Sequence, residues 1–124
     1  MRKYRSLVAW QRARQLALSI LKSTDETSDA RSRAVFDQLR RAAISVEANI
    51  VEGYALGTPA QFKRHLRIAL GSAAETEILL ELAAERGYFP ADIITGTKSL
   101  VNETIATLFG LIRKGGGSRE RGAG

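Results

Sequence analysis

The chain has 124 residues, a formal net charge of +6 and a composition of 44% hydrophobic and 26% charged residues, which suits one globular domain with a real core. It contains no cysteine, so disulfides and thiolate metal sites are excluded. No apolar stretch is long enough to span a bilayer, and Arg12 and Arg14 interrupt the N-terminal run MRKYRSLVAWQR too early for a secretion signal, so the expected location is cytoplasmic with no membrane partner.

The first periodic segment, about residues 7–22, sets Leu7, Trp10, Ala13, Ala17, Ile20 and Leu21 on one helical face. A second, about residues 30–54, spaces Phe36, Leu39, Ala43, Val46 and Ile50 by three and four, with Asp29 as its expected N-cap. Thr58-Pro59-Ala60-Gln61 opens the third with a capping-box Thr and Gln and a proline at the first helical position. Phe62, Leu66, Ala69, Ala73, Thr76, Leu80 and Ala83 then form its seam, and Gly87 ends it. The fourth runs from about residue 91 to 113 on Ile94, Val101, Ile105, Leu108 and Ile112. The glycine-rich tail 115–124 is expected to be disordered, leaving residues 1–114 as the folded domain. Short connections force neighbouring helices to run antiparallel, so the predicted fold is all-α, an up-down-up-down four-helix bundle.

Two helices carry a second line of residues that a monomeric bundle does not require. On the second helix it is Gln38, Arg41, Ser45, Asn49 and Glu52; on the third, Ile68, Gly71, Ser72, Glu75, Leu79 and Leu82. Either the core is wide and includes polar groups, or this line is a subunit interface. With the turn centred near residues 56–57, Gln38 faces Glu75 and Arg41 faces Ser72, and Glu75 is expected to be partly buried against Gln38 or Arg41.

The strings QLRRAAISVEANIVEGY (residues 38–54) and FKRHLRIALGSAAETEILL (residues 62–80), with Trp10-Gln11 ahead of them, resemble the bacterial four helix bundle protein family. Its founding members are encoded in intervening sequences of large-subunit ribosomal RNA genes, and the accessory protein of diversity-generating reverse transcriptases is related. Val51 stands where the family usually has alanine. The resemblance covers about residues 5–113 and implies a homopentameric ring that binds nucleic acid, RNA being the suspected ligand.

Chemistry is harder to find. His65 is the sole histidine, sits in a basic turn and reads as a surface residue. The carboxylates Glu75, Glu77, Glu81 and Glu85 read as an acidic helix face, and no Glu-x-x-His pair is present. Gly115-Gly116-Gly117 lacks the strand, lysine and helix of a phosphate loop. Neither a catalytic group nor a cofactor or metal is expected.

The charge is lopsided: residues 1–67 hold 13 Lys/Arg against 6 Asp/Glu, and residues 68–124 hold 6 against 7. Antiparallel connectivity gathers Lys3, Arg5, Lys63, Arg64, Arg67, Arg113 and Lys114 at one end, and at the other most carboxylates, diluted by Lys22, Arg31, Arg33 and Arg86. The third helix starts with cations and ends with anions, the reverse of what its macrodipole favours. The expected function is therefore binding of structured RNA or DNA through phosphate contacts at the basic end. The alternative is an adaptor whose basic end receives an acidic protein such as a reverse transcriptase.

Overall fold

The computed structural model describes residues 3–27 and 29–114, so the expected tail lies outside the described residues. Four α-helices follow in order: α1 (Val8–Glu26), α2 (Arg33–Ala55), α3 (Pro59–Glu85) and α4 (Ala91–Arg113), with 3-10 turns at Lys3–Ser6 and Ala30–Ser32. No strand occurs among the described residues. α1 packs on α2, α2 on α3, α3 on α4, and α4 back on α1. This is the expected all-α architecture, a four-helix bundle.

The helix ends follow from their chemistry. Thr58 Oγ1 accepts the Gln61 N–H at 3.2 Å, and Pro59 opens α3 where its missing N–H has no helical partner to lose. Gly87 takes φ +70°, while Gly87 N–H and Tyr88 N–H reach back to the carbonyls of Ala84 and Ala83 at 3.0 and 2.9 Å. That pair of bonds is a Schellman cap, and it explains why glycine follows α3. Asp29 caps the 3-10 turn rather than α2 itself, accepting Arg31 N–H at 2.9 Å. The Arg31 guanidinium also holds the Asp29 carboxyl below its usual range through its side-chain hydrogen bonds.

α1 runs one turn further than its apolar spacing predicts. Thr24 is buried and returns its hydroxyl to the Ile20 carbonyl at 2.7 Å, which lets a polar residue continue the helix without an unpaired group. The core divides into two clusters along the bundle. Near the α2–α3 turn lie Trp10, Val46, Ile50, Phe62, Leu66 and Leu108. Toward the other end lie Leu16, Ile20, Phe36, Leu39, Leu80 and Val101. Every expected seam residue of α2 and α3 is buried. Two polar members of the core bond to their own helices: Thr76 donates to the Ser72 carbonyl at 2.8 Å and Thr104 to that of Leu100 at 2.7 Å.

Candidate nucleic-acid interface

At one end of the bundle, the start of α1, the turn between α2 and α3, and the end of α4 come together. An aromatic cluster ties the first 3-10 turn to that place. The Tyr4 ring lies 5.5 Å from Trp10 and 6.4 Å from Tyr54, and Tyr54 lies 5.9 Å from Phe62, all edge-on. Arg5 sits over the Trp10 and Tyr4 rings at 5.1 and 5.6 Å, which fixes its cation against the end of the molecule. Lys114 lines a shallow cleft with Leu7, Val8 and Leu111, so the end of α4 adjoins the start of α1. Lys63 is half-buried; Lys3, Arg5, Arg64, Arg67, Arg113 and Lys114 are exposed.

None of these seven cations has an ion pair among the described residues. The pairs that do form lie elsewhere: Arg12–Glu103 at 3.7 Å, Arg14–Glu47 at 2.9 Å, Arg31–Asp29 at 3.0 Å, and Arg40–Asp37. Glu47 has a further task, accepting the Trp10 indole N–H at 3.1 Å, so it bolts α1 to α2. Four cations elsewhere along the bundle are thus held by carboxylates, whereas Lys22, Arg33, Arg86 and Lys98, like the seven at this end, form no ion pair among the described residues.

Along the seam between α2 and α3 the second line of residues resolves into three contacts. Ser45 and Ser72 hydroxyls meet at 2.9 Å. Asn49 donates to the Ser45 carbonyl at 2.9 Å and turns its Oδ1 to His65 Nδ1 at 3.0 Å. Gln38 donates to Glu75 at 3.1 Å and accepts from Arg41 at 2.8 Å. The Gln38–Glu75 facing expected from the turn position is thus observed.

Three expectations about this seam are corrected. Glu75 is exposed rather than partly buried, because its side chain reaches Gln38 from the water side and avoids desolvating the carboxylate. Arg41 binds Gln38 and not Glu75, and Ser72 faces Ser45 one turn along rather than Arg41. His65 is buried, at 6% exposure, not a surface residue. It sits where α2 comes close: a Cβ placed on Gly53 would lie 2.6 Å from His65 Cβ. A glycine and an asparagine one turn apart on α2, opposite a histidine on α3, were the signal for it. Glu52 remains exposed with its Oε1 3.9 Å from His65 Nδ1. On the same outer face Ile68 is 40% and Leu82 49% exposed, and Leu79 is half-buried.

At the opposite end Glu77 and Glu81 of α3 share a groove with Ile94 and Lys98 of α4. Carboxylates gather here as the cations do at the other end.

A family model described as 23S rRNA-intervening sequence protein matches residues 5–110. The chain belongs to that family. It is the one the α2 and α3 strings resemble, and the match takes in nearly the whole of the bundle. Among solved structures, one described as a protein with unknown function from the S23 ribosomal protein family of Bacteroides thetaiotaomicron VPI-5482 shares the fold. It has a TM-score of 0.75 at 24% identity and covers 86% of this chain and 96% of that chain. No curated protein matches. Among the described residues of this intervening-sequence family member, no helix is long and apolar enough to cross a membrane.

Proposed function

We propose that the protein is a non-enzymatic, self-associating bundle that binds structured RNA or DNA through the phosphate backbone at its basic end. One observation carries this reading: cations from the first 3-10 turn, α3 and the end of α4 converge, and none is neutralised by a carboxylate among the described residues. Cations near the first turns of α3 add to the positive end of its macrodipole, an arrangement that favours an anion. Phosphate contacts carry no base sequence information, so specificity should be weak and affinity strongly salt-dependent.

The test is the triple reversal Lys63→Glu, Arg64→Glu, Arg67→Glu, set against Lys22→Glu with Arg33→Glu at the far end. Binding of a structured RNA is measured by fluorescence anisotropy over a range of salt. The triple variant should lose binding at low salt and keep its helical circular dichroism, since the new charges suit the α3 dipole. For the native protein, log affinity should fall by about 0.9 per phosphate contact for each decade of salt. Equal losses in both variants mean the charge is diffuse and the end is not a site. If the native protein binds no nucleic acid at low salt, an acidic protein becomes the partner of this end.

A further inference from the structure

The groove between α3 and α4 changes character along its length. At its far end it is lined by Glu77, Glu81, Ile94 and Lys98, which fixes how the two helices face each other. Steps of four and three back along α3 lead from Glu81 through Glu77, Ala74 and Leu70 to Arg67 and Lys63. The matching steps forward along α4 lead from Lys98 through Asn102 and Ile105 to Phe109 and Arg113. Leu70 and Ile105, which both pack against the same core cluster, fall on these two lines at the middle of the bundle. The groove therefore begins between carboxylates and ends between Lys63, Arg67 and Arg113, with Phe109 among them.

Phe109 is unlike the other aromatic side chains. It is 50% exposed, while Tyr4, Tyr54 and Tyr88 are half-buried in ring contacts and Trp10, Phe36, Phe62 and Phe89 are buried. A lone exposed apolar residue is ordinary on a protein surface. An exposed aromatic ring bracketed by three cations is the combination that holds an unpaired nucleotide, the ring stacking on the base and the cations taking the flanking phosphates.

We infer that the basic half of the α3–α4 groove is a binding site for unpaired nucleotides, with Phe109 as the stacking residue and Lys63, Arg67 and Arg113 as phosphate contacts. The inference rests on the nucleic-acid reading above and narrows it to single strands, loops or bulges. Every base has a flat face, so stacking adds affinity without adding sequence preference. The acidic half of the groove limits the site, because phosphates continuing toward Glu77 and Glu81 meet like charge.

Anisotropy titrations of native protein, Phe109→Ala and Phe109→Trp with an oligouridylate strand and with a blunt-ended duplex test this. Phe109→Ala should weaken strand binding by about 5- to 160-fold, the range that one stacked base contributes, and leave duplex affinity unchanged. Phe109→Trp should retain strand affinity, with its indole fluorescence quenched on binding. Equal loss on strand and duplex, or no loss on the strand, overturns the stacking role. Unchanged binding with altered sedimentation overturns it too, and makes Phe109 a contact between copies. If native protein and the triple reversal behave alike on both probes, the basic-end reading fails; if only Phe109→Ala is silent, the stacking inference fails alone.

Discussion

Gly53 sets the distance between α2 and α3. Inside a helix, alanine normally gains about 1 kcal/mol over glycine. Here the added methyl would meet His65 Cβ at 2.6 Å, inside any ordinary contact. Overpacking of that kind costs about 1–3 kcal/mol, so Gly53→Ala should lower the urea midpoint despite the better helix former. Gly96 of α4 is the natural control, since a Cβ there meets nothing within 4 Å. Gly96→Ala should raise stability by roughly 0.5–1 kcal/mol. Two glycine-to-alanine changes of opposite sign would locate the close approach; two stabilising changes would mean that the helices can move apart freely.

The seams of α2 and α3 were legible as sequence because one helix period repeats on each, and residues such as Leu39, Val46, Leu66 and Leu80 fall on it without exception. Caps were legible where a side chain and a special backbone coincide, as at Thr58 and Gly87. Residues at the edge of the stripe were not, since phase alone leaves open how closely the next helix approaches. The sequence alone puts His65 on the surface for that reason, and it leaves the exposure of Phe109 unmarked for the same one: adjacent residues on α4, Leu108 and Phe109, end in opposite environments. The Asn49–His65 contact makes a prediction about the pair of helices. Removing one partner leaves a buried polar group unsatisfied, at about 1–3 kcal/mol. A double-mutant cycle of Asn49→Ala and His65→Ala, read from urea unfolding, should give a coupling of about 0.5–3 kcal/mol. Strictly additive losses would mean that the hydrogen bond contributes nothing to holding α2 against α3.

At the scale of the whole molecule, Ile68 and Leu82 leave an apolar line on the outer face of α3, next to the Gln38–Glu75 contact. Its coverage by a second copy would account for a feature that the bundle core does not use. Sedimentation equilibrium at micromolar concentration should therefore show a species several times the 13.5 kDa chain mass. Ile68→Glu with Leu82→Glu should return the species to a monomer of native helicity. A native protein that sediments as one chain throughout would leave the apolar line without a partner.

The separation of cations and carboxylates to opposite ends has a thermodynamic consequence for such an assembly. Copies set side by side in the same direction bring like ends together, so the contact between chains works against a repulsion at the basic rim. Added salt screens that repulsion and should tighten self-association, while the same salt loosens a bound polyanion. A strand laid across several positive rims removes the repulsion at its source. By reciprocity, whatever free energy the strand lends to assembly, assembly returns to the affinity for the strand. Association and nucleic-acid binding would then respond to ionic strength with opposite signs and still reinforce each other at any one salt concentration.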